Sequence, residues 1–175
     1  MPKSKLIGLV YDSWDDFDRV LNELTTEQAI ENPNDESSFA WTLAHVTEQL
    51  DRWINVIAQD MPPHSDIGKK EFRFGGTGIS EDWQLIKLAS QEVRAASKSY
   101  LDNLTDNDLE SILLDAGDPN APHGISSTDR MHIKLYSVTL RIISHYYFHI
   151  GEIATKRDRI GHPVGDYPGP LSRTI

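Results

Sequence analysis

In the segment SHYYFHIGEI, His145 and His149 stand four residues apart and Glu152 three further on. On an α-helix, residues i and i+4 share a face about 6 Å apart along the axis. Two imidazoles at that separation can bind one ion. A plainer arrangement is equally open to the pair: both rings hydrogen-bonded to neighbours, or a helix face turned to water. Glu152 could hold an imidazole by its ring N–H, serve as a base on a water held by the ion, or lie at the surface.

A third histidine alters the balance. His45, in WTLAHVTEQLDRW, lies about 120° from the centre of its segment's apolar seam at about 100° per residue. Trp41, Glu48 and Arg52 share that second face. A tryptophan and a histidine there make sense if the face meets the last helix across a cleft. Taken as neutral nitrogen donors, His45, His145 and His149 form a three-histidine site with one or more open positions, as catalytic zinc sites have. All-nitrogen ligation suits Zn2+ or Ni2+ and does not choose between them. Glu48, one turn after His45, has the same range of roles as Glu152. A two-metal carboxylate centre is disfavoured, because such bundles use Glu-x-x-His and the order here is His-x-x-Glu. Arg52 and Arg141 could offer an anion a guanidinium at the cleft mouth, or be surface arginines in salt bridges. Trp41, Tyr146 and Phe148 could wall the cleft or fill the core. His64, His123, His132 and His162 fall in loops or off the face.

Four segments with helical periodicity must position these residues, and no stretch reads as a run of alternating strands. In the first, spanning about 4–25, Ile7, Val10, Trp14, Phe17, Leu21 and Leu24 repeat every three or four residues. LTTEQAIENPN breaks it at a turn around Pro33. The second, about 38–60, opens at Ser37 or Ser38 as N-cap and carries Phe39, Leu43, Val46, Leu50, Trp53 and Ile57. After a Pro/Gly-rich loop, the third spans about 80–104 from an N-cap at Ser80, with Ala89 and Ala96 allowing close approach. A long connection follows, in which SILLD reads as briefly extended and DAGDPNAPHG as a turn cluster. The fourth spans about 129–160 and ends at Gly161. It carries two seams: Tyr136, Leu140, Ile143, Tyr147, Ile150 and Ala154; and Leu135, Val138 and Ile142, continuing as His145, His149 and Glu152. The expectation is one all-α domain over 1–175, an antiparallel four-helix bundle with a long loop or insert before the last helix and a tail, 161–175, lying across it.

Composition narrows the chemistry. The net charge of −10, from 27 acidic and 17 basic residues, argues against a nucleic-acid partner. With no cysteine, disulfides, thiolate ligands and a cysteine nucleophile are excluded. No apolar run approaches the roughly 20 residues of a membrane span, and the N-terminus lacks a leader's apolar region, so a cytoplasmic protein with no membrane partner is expected.

The histidine within Leu43-Ala44-His45 and the H-x3-H pair followed by Gly151-Glu152-Ile153, on the second and fourth of four helices, resemble the DinB-like (YfiT-like) superfamily. The resemblance covers nearly the whole chain. It implies that a divalent ion, often nickel or zinc, is held by His45, His145 and His149, and that the protein is a homodimer. Characterised relatives include transferases using the low-molecular-weight thiols bacillithiol or mycothiol and a maleylpyruvate isomerase; many others are labelled metal-dependent hydrolases. The leading expectation is therefore a metal-dependent hydrolase or thiol transferase acting on a small molecule, any thiol being exogenous. The alternatives are a non-catalytic, stress-related or ligand-binding bundle with a structural or vestigial metal site, and a dimerisation module whose histidines merely pack.

Overall fold

The computed structural model describes residues 4–32, 36–114, 132–165 and 169. Helix α1 (Lys5–Leu21) begins at Ser4, whose Oγ accepts the Leu6 amide at 3.2 Å. Its seam from Ile7 to Leu21 is buried as the spacing predicts. The helix stops short of the expected Leu24, which lies in the turn that follows. LTTEQAI is not simply a break: Thr25 and Gln28 form a reciprocal capping box that starts a five-residue helix, α2 (Thr26–Ile30). The expected turn at Pro33 lies outside the described residues.

Helix α3 (Phe39–Leu50) is capped by Ser38, whose Oγ accepts the Trp41 amide at 3.1 Å. It is buried on almost every side and runs on through a π-helical stretch, Asp51–Ile57. A long loop then returns over α3 and includes a single 3₁₀ turn, Lys70–Phe72. Helix α4 (Trp83–Leu101) is capped by Asp82 rather than Ser80; the Asp82 carboxylate accepts the Leu85 amide at 2.9 Å. After the short α5 (Asp106–Leu109), the expected extension appears as strand β1 (Ile112–Leu114). It pairs antiparallel with β2 (Ile133–Lys134), a strand that replaces the first residues expected of the last helix. Helix α6 (Leu135–Arg159) then closes the bundle, with Gly161 beyond it at φ 77, in the left-handed region that favours glycine. The DAGDPNAPHG cluster and His123 lie outside the described residues. Of the tail, Gly169 donates its amide to the Asp16 carboxylate of α1 at 2.9 and 3.0 Å.

The four main helices, α1, α3, α4 and α6, pack antiparallel, with α3 against both α4 and α6 and α1 against α6. One seam runs otherwise than expected. On α6, Tyr136 and Leu140 are exposed, whereas Leu135, Val138, Ile142, Tyr146, His149, Ile153 and Lys156 form the buried stripe. A strict alternation of four and three residues has period 3.5 and drifts around a straight helix of period 3.6. Tyr146 and Ile153 thereby take the inner places that simple extrapolation gives to His145 and Glu152. Arg157 fastens the bundle's end: its Nη1 donates to the carbonyls of Val20 (3.0 Å) and Asn22 (2.6 Å), the free C-terminal end of α1.

Candidate metal centre

His45 comes from the middle of α3, His145 and His149 from successive turns of α6. Each offers a ring nitrogen, and these atoms lie within 4.8 Å of one another. The ring centroids are 4.6–5.1 Å apart. His45 and His149 are buried, and His145 is half-buried at the edge of the stripe.

The tautomers follow from what surrounds two of the rings. His45 Nδ1 lies 2.6 Å from the Phe72 carbonyl oxygen, which can only accept, so Nδ1 carries the proton and Nε2 keeps its lone pair. His149 Nδ1 lies 2.7 Å from Glu152 Oε2. Burial alone would push the Glu152 carboxyl up, but the hydrogen bonds from His149, Lys156 and Ser37 outweigh it and hold its pKa at about 2. Glu152 is therefore an acceptor, His149 Nδ1 the donor, and the lone pair of His149 Nε2 turns inward. It meets His145 Nε2 at 3.2 Å. Two imidazoles bound at about 2.0–2.1 Å to one tetrahedral ion lie about 3.3 Å apart, so the pair already has near-ligating separation. Burial pushes the His145 pKa down to about 3, with His149, His45 and Arg141 adding to the effect; burial also lowers that of His45. Both rings are neutral and able to donate a lone pair. The donor set fits a divalent ion.

Each oriented ring is itself held. Trp41 stacks on His45 with centroids 4.8 Å apart and planes 7° from parallel. Its indole N–H donates to the Glu71 carbonyl at 2.8 Å, so consecutive residues of the loop receive Trp41 and His45. The next residue, Arg73, donates from Nε to Glu48 Oε1 at 2.8 Å and pins that loop to α3. On α6, Glu152 Oε1 accepts from Ser37 Oγ at 2.9 Å and from the Lys156 ammonium.

The expected site residues thus divide. His45, His145 and His149 converge. Glu152 touches the triad with one oxygen while the other is occupied, and at a pKa of about 2 it is a weak base at neutral pH. Glu48 is buried in the ion pair with Arg73 and lies 3.7 Å from Arg52, so both Glu48 and Arg52 bind other side chains. Burial pushes Glu48 up while Arg73 pulls it down. Arg141 is exposed; with His145, Gln49 and Trp53 it lines a cavity of about 10 Å³, roughly one water in size. Tyr146 is core, edge-on to Phe17 at 5.2 Å, while Phe148 is 70% exposed beside His149.

Three supports escape the sequence reading. Phe72 acts through its backbone, which no side-chain pattern announces, and Arg73 lies in a loop. Lys156 alone carried a signal: it is four residues after Glu152, the spacing of a helical ion pair.

Compared with known families, residues 9–153 match the model of the DinB superfamily. No curated protein and no solved structure matches the chain. Among the described residues, no helix is long and apolar enough to cross a membrane.

Proposed function

The chain belongs to the DinB superfamily, and we propose that it is a divalent-metal-dependent enzyme acting on a small molecule, by hydrolysis or by transfer of an exogenous low-molecular-weight thiol. The observation that carries this reading is the convergence of two Nε2 atoms at 3.2 Å while the Nδ1 atoms of His45 and His149 are spent on acceptors. Without an ion a neutral His145 can donate its Nε2–H to the His149 Nε2 lone pair across this distance, and in its other tautomer both nitrogens are free to ligate one ion.

His45, His145 and His149 would hold Zn2+ or Ni2+. The ion would supply Lewis acidity to an oxygen or sulfur atom of the small molecule. The chain's own contribution is orientation. Phe72 and Glu152 keep the rings in one tautomer, and Trp41 covers one face of His45. Neutral ligands leave the ion its full double charge. Because the chain has no cysteine, a thiol nucleophile must enter as a co-substrate. Glu152, ionised and bound on both oxygens, serves to place His149 rather than to move a proton. We further propose a homodimer, to which the exposed Tyr136 and Leu140 on one face of α6 would contribute; light scattering on a sizing column tests it.

Metal content by mass spectrometry on tag-free protein, beside a His45/His145/His149→Ala variant, tests the reading. The expected result is near one equivalent of zinc or nickel, absent from the variant. Ester and amide hydrolysis, then thiol transfer from small thiols, are assayed next on the loaded protein. No metal in either protein after dialysis against both ions overturns the reading in favour of packed histidines. Stoichiometric metal without turnover in either assay favours a non-catalytic bundle.

A further inference from the structure

Lys156 is 8% exposed, an unusual place for an ammonium, which brings three donors and no acceptor. Its acceptors are the Ser37 carbonyl and Ser37 Oγ, each at 2.8 Å, and Glu152 Oε1. A lysine in the last turns of a helix is usually explained by the helix dipole and the free carbonyls there. The acceptors here belong instead to the segment before α3 and to the carboxylate that holds His149.

We infer that Lys156 is a positioning residue of the metal centre: by binding one oxygen of Glu152 it leaves the other aimed at His149 Nδ1, and so fixes the ring with Nε2 towards His145. This rests on the metal reading above. The Glu152 side chain is 28% exposed and has several rotamers available to it. Lys156 and Ser37 on Oε1 select the one in which Oε2 reaches His149 at 2.7 Å. Ser37 adjoins Ser38, the cap of α3, so the same ammonium also ties α6 to the start of the helix that carries His45.

The test compares Lys156→Met, Lys156→Arg, Glu152→Gln and the Lys156→Met/Glu152→Gln pair. Zinc affinity is read by competition with a chromophoric chelator, and the His149 tautomer by nitrogen NMR of the metal-free proteins. Lys156→Met and Glu152→Gln are each expected to weaken zinc ~10-fold. The paired variant should be no weaker than the weaker of the two, because one residue acts through the other. Lys156→Arg should recover most of the affinity, and Lys156→Met should shift His149 towards the Nε2–H tautomer. Should Lys156→Met not fold, Ser37→Ala removes a hydroxyl that holds the same Glu152 oxygen and should shift the tautomer the same way. An unchanged tautomer with unchanged affinity, or losses that simply add in the paired variant, overturns the inference. If the wild type takes up no zinc, the metal reading fails alone, and the tautomer still decides the positioning role.

Discussion

His45 and His149 are held in the same tautomer by opposite means. On the α3 side, the Nδ1 proton goes to a neutral backbone carbonyl, Phe72, brought by a loop that Arg73 and Glu48 fasten from one residue away. On the α6 side it goes to a carboxylate one turn along the same helix, itself gripped by a buried lysine. The first arm borrows its order from tertiary structure, the second from helical geometry and charge. One arm should therefore fail through the fold and the other through electrostatics.

The largest effects should erase the contrast. His45→Ala and His149→Ala remove one proposed ligand from each arm, and each should cost more metal affinity than the ~10–100-fold typical of an outer partner. Bound metal measured after dialysis checks both; stoichiometric ion retained in either variant removes that residue from the site.

Changes one step out should separate the arms. Arg73→Met leaves the buried Glu48 with only the more distant Arg52 as a charged partner, beside the Gln49 amide, and should lower stability by about 1–3 kcal/mol, with weakened metal binding following from a loosened loop. Glu152→Gln should weaken metal by a comparable factor with a smaller change in thermal midpoint. Paired calorimetry and chelator competition decide it, and equal loss of stability in both variants would abolish the distinction.

Acid should affect both arms, in a direction the shifts fix. His145, at about 3, and the lowered His45 stay neutral in the folded chain, whereas unfolding returns them to about 6.5. The unfolded state then binds more protons, so their contribution is complete above about pH 6.5 and is lost as pH falls, for His145 down to about 3. Glu152, at about 2, adds its share between about 4.5 and 2. Denaturant unfolding of chelator-treated protein should show stability falling by up to about 1.4 kcal/mol per pH unit for each group in its window. A flat profile between pH 6.5 and 4 contradicts it.

The smallest effect belongs to Phe148, 70% exposed on the α6 side. Phe148→Ser should move stability by no more than ~0.5 kcal/mol. A larger loss at high protein concentration alone would place the ring in an interface between copies.

The two arms also differ in how far the sequence revealed them. The H-x3-H-x2-E spacing put His145, His149 and Glu152 on one helix, because that geometry is local. His45 needed a second inference, a polar residue on a face with no obvious exposure. The Phe72 carbonyl could not be foreseen, since every residue has one and only the folded loop selects which is used. Glu48, a candidate base, and Arg52, a candidate anion-binding group, bind other side chains, because burial obliges charges to pair before they can do chemistry. Helix periodicity located all four main elements. It misplaced the inner face of α6, where a 3.5-residue pattern drifts over 25 residues, and the start of that helix, where β2 intervenes.

That small ribbon has a consequence for engineering. By pairing Ile112 with Lys134 and Leu114 with Ile133, β1 and β2 hold the two ends of the connection between them side by side. A connection whose ends are paired in this way closes a loop, and doubling the length of such a loop adds only about 0.6 kcal/mol of closure entropy. A reporter peptide or a transplanted recognition loop inserted between the paired strands should therefore cost little stability, which the thermal midpoint of the insertion variant measures.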